Sequence, residues 1–334
     1  MQVIENPYRG SGLTGQLGDV PYPSVDAGAP AALLAKCPVH GVTPLASAAG
    51  LGAFDLHIKD ERGRMGLGSF KALGAAYVIA HHAAEGTAEG RTYITASAGN
   101  HGMSVAAGAQ VFGAKAVIYL AQTVPASFAE RLREKGATVV IEGADYEASM
   151  AGAQAAAEAN GWTLLSDSSW LEYFELPHRL MEGYLAMAQE CVEQMPRAPD
   201  HIFLQAGVGG LAGACAALFR AAWSDVPRIT VVEPEFAPAL QASIAAGGFV
   251  TAAGPVSEMG RLDCKEASLI ALKGLARDAD AFALISEEES QAILPQLAAR
   301  GFAGSPSGAA GIAAAVLSDL PEGASVLCIL SEGP

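Results

Sequence analysis

From about residue 90 onward, short β-branched and aromatic runs alternate with longer alanine-rich stretches of helical period. The runs predict strands at Arg91–Thr95, Ala114–Leu120, Thr138–Glu142, Thr163–Ser166, His201–Gln205, Arg228–Val232, Ala281–Ile285 and Ser325–Leu330. Between them the spacing predicts helices over His101–Phe112, Ala126–Lys135, Tyr146–Asn160, Glu175–Met195 and Gly210–Trp223. Strands apolar on both faces, each followed by a helix, indicate parallel sheets covered on both sides. Upstream, Ala72–Ala84 has helical period, Ala35–Lys59 is expected to add strands, and residues 1–30, rich in Gly and Pro, are expected to wrap the surface. The expectation is an α/β chain with mostly parallel sheets.

At 334 residues the chain is long enough for about two domains, although no break in composition marks a boundary. Hydrophobic residues at 51% and charged residues at 16% supply a large core and exclude a disordered or coiled-coil protein. A formal charge of −15 makes phosphate backbones and anionic membrane surfaces poor partners. The five cysteines (Cys37, Cys191, Cys215, Cys264 and Cys328) are widely spaced and odd in number, which argues against a disulfide framework or zinc cluster and for a reducing cytoplasm. No metal-ligand spacing stands out, and Met1–Gly10 lacks the basic and apolar regions of a signal peptide. Met103–Gly113 and Ala309–Leu317 are too short to span a bilayer and read as buried helices.

Three glycine-rich turns carry the candidate chemistry. In Gly66-Leu67-Gly68-Ser69-Phe70-Lys71, Ser69 is placed as the N-cap of the following helix, with Lys71 in its first turn. The helix dipole there is expected to lower the lysine pKa and favour a neutral amine able to form a Schiff base. By itself, a lysine such as Lys71 is far more often an ordinary surface lysine, and only its context changes that. In Ser97-Ala98-Gly99-Asn100-His101-Gly102, small residues at a strand–helix junction open backbone amides to a carboxylate, while Asn100 offers a donor and an acceptor to a bound ring. His101 is given no catalytic role. Gly207-Val208-Gly209-Gly210-Leu211 has the form of a phosphate-binding turn. With Glu233 at the end of the next strand it also imitates a dinucleotide fingerprint, the basis of a rival nicotinamide-dependent oxidoreductase reading. That rival leaves Lys71 and Asn100 without a role, whereas pyridoxal phosphate engages all three segments.

The order Ser-Phe-Lys, Ser-x-Gly-Asn-His-Gly, Gly-Val-Gly-Gly-Leu and a late Ser-Glu-Gly resembles the fold-type-II pyridoxal-phosphate enzymes over nearly the whole chain. Within that family the chain is similar to the diaminopropionate ammonia-lyases. Lys59-Asp60-Glu61-Arg62, Asp167-Ser168-Ser169-Trp170, Val232-Glu233-Pro234 and Leu262-x-Cys264-x-Glu266 carry that likeness. The resemblance implies a large cofactor-binding domain of residues 1–90 plus 171–334, a small domain of residues 91–170, and a homodimer. It implies that Lys71 holds the cofactor, that Asn100 bonds the ring hydroxyl and that Gly207, Val208, Gly209, Gly210 and Leu211 bind the phosphate. Ser331 would bond the pyridine nitrogen, and a neutral hydroxyl there suits β-elimination. Ser97, Ala98, Gly99 and His101 would line the substrate carboxylate. Asp167 matches an acid that takes the α-proton of an L-substrate; read locally, it is alternatively the N-cap of the next helix.

Two departures bear on substrate. Ala98 stands where the related lyases carry an aspartate serving the D-enantiomer, so preference for the L-form is expected. Arg261, Asp263 and Lys265 add charges that either meet a β-carboxylate or sit on an ordinary loop. The leading expectation is a cytoplasmic ammonia-lyase performing α,β-elimination on a small L-amino acid of the 2,3-diaminopropionate type, releasing ammonia and a 2-oxo acid. The alternatives are a threonine, serine or hydroxyaspartate dehydratase, a racemase with Ser97 as its second base, and a non-catalytic sensor binding the same cofactor.

Overall fold

A computed structural model of the chain describes residues 1–15 and 17–334. The first half contains β1 (Gln2–Glu5), α1 (Gly28–Leu34), β2 (Leu45–Ser47), β3 (Asp55–Asp60), α2 (Ala72–Ala84), β4 (Thr92–Ala96), α3 (Asn100–Val111), β5 (Lys115–Leu120), α4 (Ala126–Glu134), β6 (Thr138–Ile141), α5 (Tyr146–Asn160) and β7 (Thr163–Leu164). There follow α6 (Glu175–Gln194), β8 (His201–Gln205), α7 (Gly210–Trp223), β9 (Arg228–Pro234), α8 (Ala239–Ala246), α9 (Leu269–Asp278), β10 (Ala281–Ile285), α10 (Glu287–Ala292), α11 (Leu294–Ala298), α12 (Pro306–Leu317) and β11 (Ser325–Leu330).

The strands form two sheets. One, in the order β6-β5-β4-β7, is entirely parallel. The other, β1-β10-β9-β8-β11-β3-β2, is parallel from β10 to β3 and antiparallel at its two edges. This is the α/β architecture with mostly parallel sheets that the periodicity predicts. Every residue of β11 is buried, as a strand covered on both faces requires. Residues 1–30 differ from expectation because Gln2–Glu5 pairs antiparallel with β10. Four residues carry no periodic signal, and a distant partner decides their conformation.

Helix α2 packs between α3 and α6. Ala72 to Ile79 are buried on every side, the signature of a core helix. A Cβ on Gly183 of α6 would stand 2.4 Å from the Leu73 carbonyl oxygen, and one on Gly108 of α3 would stand 3.0 Å from Ile79 Cδ1. Close approach on both flanks fixes α2, and with it the lysine at its start. Upstream of that lysine, Lys59 pairs with Glu190 at 2.6 Å while Arg64 bridges Glu61 and Glu190 at 2.7 Å each. This buried set ties the end of β3 to α6.

In both sheets the chain leaves one strand in opposite directions. β4 lies between β5 and β7, and β8 between β9 and β11. Crevices at the carboxyl ends of such strands are where open α/β sheets bind ligands. The candidate turns follow the carboxyl ends of these strands.

Candidate active site

Lys71 is itself the N-cap residue of α2, not a residue of its first turn, and the Ser69 hydroxyl accepts the Lys71 backbone N–H at 3.2 Å. The loop is stitched to the end of β11: Phe70 N–H donates to the Ser331 carbonyl at 3.1 Å, and Gly333 N–H to that of Gly68 at 3.2 Å. Lys71 Nζ donates to Asp167 Oδ2. Burial alone would lower the lysine pKa, but the Asp167 carboxylate outweighs it and holds the ammonium above its ordinary range. Burial likewise opposes ionisation of Asp167, and Lys71 overrides it, keeping the carboxyl below the usual range. This corrects the expectation of a dipole-lowered lysine. An adjacent full charge outweighs the fractional charge of a helix end.

Asp167 does not cap α6, whose N-cap is Phe174. Its segment is clipped from both sides. Tyr173 Oη donates to the Leu164 carbonyl at 2.8 Å and accepts from Ser166 N–H at 3.1 Å. On the other side Ser169 Oγ meets Ser268 Oγ at 2.7 Å, and Ser268 N–H donates to the Val208 carbonyl at 2.9 Å. The acid is thereby locked to the glycine turn at 207–211. Tyr173→Phe deletes both bonds of the clip and strands the Ser166 amide. It is expected to lower stability by about 1–3 kcal/mol, read from the midpoint of denaturant unfolding. An unchanged midpoint would show that the clip contributes nothing.

After β4 the chain turns at Ser97–Gly99 into α3. Gly102 is required there, since a Cβ would stand 2.2 Å from the Ser97 carbonyl oxygen. The amides of Asn100, His101 and Gly102 reach no backbone acceptor among the described residues. They present a row of donors at a helix start. The buried His101 ring turns away, Nε2 donating to the Leu165 carbonyl at 2.8 Å, and burial holds its pKa below the ordinary value. Its backbone, rather than its ring, is on offer at the turn. Ala98 lines the mouth of the cleft beside Gly99 and Asn100.

The turn after β8 is tighter. Gly209 has φ +96°, a left-handed conformation suited to glycine, and a Cβ there would stand 2.9 Å from Ala271 Cβ. At Gly207 a Cβ would lie 3.0 Å from Cys264 Sγ and 3.1 Å from Leu262 Cα. The buried amides of Gly209, Gly210 and Leu211 donate to no backbone carbonyl among the described residues. Buried donors without acceptors are costly, and an anion of phosphate size would satisfy them together.

At the end of β11, Ser331 is buried beside the Lys71 loop. The next residue, Glu332, was missed in the sequence. Its carboxylate accepts from Asn100 Nδ2 and Ser305 Oγ and pairs with Arg261 Nε at 2.9 Å. Burial raises its pKa against the pull of these donors. Tyr184 was also missed. A Cβ on Gly74 would lie 2.9 Å from its hydroxyl and one on Gly210 3.6 Å from its ring. The buried phenol lacks a partner among the described residues, and burial pushes its pKa up to about 12, so it remains a donor. A tyrosine on the buried face of an amphipathic helix gives no local hint of this position.

Two features behave differently from their sequence-level rivals. Glu233 is fully buried and accepts the Leu240 and Gln241 amides at 2.7 Å each, so it serves the start of α8 and is not presented to a ribose. Lys265 is spent on the Phe236 and Pro255 carbonyls and on Asp263, at 2.7, 2.8 and 2.6 Å.

The arrangement combines a lysine paired with an acid, two rows of open amides and the Asn100 side chain at the start of α3. The pyridoxal-phosphate dependent enzyme family model matches residues 37–332. The diaminopropionate ammonia-lyase of Salmonella typhimurium is 35% identical over 63% of this chain and 57% of its own length. The Escherichia coli K12 protein of that name is 31% identical over 71% of this chain and 64% of its own length. The matched stretches thus span under two thirds of these relatives. The solved structure of Escherichia coli diaminopropionate ammonia lyase in complex with an aminoacrylate-PLP azomethine reaction intermediate matches with a TM-score of 0.88. That match is at 26% identity and covers 99% of this chain and 93% of that one.

Proposed function

Since the chain belongs to the pyridoxal-phosphate dependent enzyme family, we propose that it is a lyase performing α,β-elimination on a small L-amino acid with a leaving group on Cβ, the 2,3-diaminopropionate type, releasing ammonia and a 2-oxo acid. The residues present fit the cofactor. Gly207 to Leu211 supply donors for its phosphate, Asn100 and Ser331 flank the space for its ring, and Lys71 is placed to hold it. When bound, pyridoxal phosphate supplies an electron sink for negative charge developing at the substrate Cα. The open amides of residues 100–102, with Ser97, Ala98 and Gly99, receive the substrate carboxylate.

The observation that carries elimination is the Lys71–Asp167 contact. While the pair is intact the proton stays on Nζ, so Asp167 becomes a stronger base only once the amine is committed to the cofactor; it is then placed to accept the α-proton and return a proton to the leaving group. Ala98 places no acid on the other flank of the cleft. The L-enantiomer is therefore expected to react faster than the D-enantiomer by about 10²–10⁴-fold. Asp167→Asn should reduce L-turnover by a similar factor while preserving the visible absorbance of the bound cofactor. Comparable rates for both enantiomers, or full activity of Asp167→Asn, would overturn this assignment. The deciding experiment assays ammonia and 2-oxo acid from both enantiomers of diaminopropionate, serine and threonine. A dehydratase would favour the hydroxy amino acids, a racemase would invert without releasing ammonia, and a sensor would do neither.

The reading extends to a cytoplasmic homodimer with residues 91–170 as its small domain. Free cysteines fit a reducing compartment and the restriction of the four-stranded sheet to residues 92–164 fits the small domain, while the homodimer rests on the family likeness alone. No described helix is long and apolar enough to cross a membrane.

A further inference from the structure

A narrow cleft leads from Ala98, Gly99 and Asn100 outward between Arg131 of α4 and Arg261 of the loop before α9, with Phe128 beside Arg131. The two guanidiniums come from different segments, α4 and the loop before α9. Arg131 stands 6.0 Å from the Phe128 ring centroid and makes no ion pair among the described residues. Arg261 uses Nε on Glu332 and leaves its two terminal nitrogens without a partner there. The charged residues lining the cleft are Arg131 and Arg261, and Glu332 balances the second, so one positive charge is left over on its wall. The α-carboxylate of any amino acid already has the amides of residues 100–102. With Ala98 carrying no charge, nothing on that wall balances the remaining cation.

From this geometry we infer that the cleft selects amino acids with an anionic substituent on Cβ, Arg131 and Arg261 being the specificity-determining residues. This rests on the elimination reading and refines its substrate class, ranking a β-carboxylate or β-phosphate above the β-ammonium of diaminopropionate. A β-ammonium would meet two guanidiniums, whereas an anion would receive paired N–H donors from both. For 3-hydroxyaspartate the α-proton is removed, the Cα–H electron pair forms the Cα–Cβ double bond and the Cβ–O bond breaks. Hydroxide leaves with a proton as water. The resulting enamine tautomerises and is hydrolysed with one water, giving oxaloacetate and ammonia. O-phosphoserine would lose inorganic phosphate in the same way and give pyruvate and ammonia.

The test compares kcat/KM of the holoenzyme for L-3-hydroxyaspartate, O-phospho-L-serine, L-serine and L-diaminopropionate, in wild type, Arg131→Gln and Arg261→Gln. Wild type should favour an anionic substrate over both others by at least about tenfold, and each substitution should cut that ratio by about 10- to 100-fold. Preference for hydroxyaspartate indicates a retained carboxylate, and preference for phosphoserine an anionic leaving group. If diaminopropionate or serine is the better substrate, or the ratio does not move in the variants, the inference is wrong although elimination stands. If no compound releases ammonia, the elimination reading fails, and titration of the holo protein's absorbance decides the inference. L-aspartate binding about tenfold tighter than L-asparagine sustains it, and equal binding overturns it.

Discussion

Lys71→Ala is expected to yield a protein whose desalted form has no borohydride-reducible visible absorbance and releases no ammonia from any amino acid. The cause is specific to the site. Lys71 Nζ is the amine paired with Asp167, and α2 is fixed on both flanks by Gly108 and Gly183. The cleft offers no substitute, since Lys265 is committed to two carbonyls and Asp263. Removing Lys71 also leaves Asp167 without its cation, at a cost of about 1–3 kcal/mol for a pair that keeps some solvent contact. Lys71→Arg separates the two effects, because it restores a positive charge but no nucleophile. It should recover stability and remain inactive. A reducible band surviving in Lys71→Ala would move the attachment point elsewhere.

Gly209→Asp should lower affinity for pyridoxal phosphate by at least about a hundredfold. Three penalties act together. A side chain at φ +96° is strained by roughly 1–2 kcal/mol, and its Cβ meets Ala271 and Leu240 at 2.9 and 3.1 Å. Its carboxylate also competes for donors that a phosphate would occupy. Gly209→Ala shares the first two penalties and lacks the third. Titration of apo protein by cofactor fluorescence should therefore rank wild type, Ala, then Asp. Binding by Gly209→Asp equal to wild type would place the phosphate on another turn.

Strands such as β8 and β11 were legible because burial on both faces leaves uninterrupted apolar runs. The turns were legible because glycines mark close backbone approach wherever they occur. What escaped depends on contacts between distant segments. The ionisation of Lys71 is set by an acid 96 positions away, so local dipole reasoning gave the wrong sign. Glu332 adjoins a residue that the sequence did single out, yet its position against Asn100, Ser305 and Arg261 joins four separate segments. Tyr184 resembles an ordinary core aromatic. The strand at Gln2–Glu5 exists only because β10 has an open edge.

The buried set of Lys59, Glu61, Arg64 and Glu190 has a consequence for how such a sequence can drift. Two cations and two carboxylates sit where water cannot replace a lost partner, so a change at one position strands charge on the others. Variation is channelled toward simultaneous exchange, such as neutral residues at all four positions, and single steps on that route pass through destabilised intermediates. The four residues are thus expected to change together or not at all, although they lie in two segments of the chain separated by more than a hundred residues.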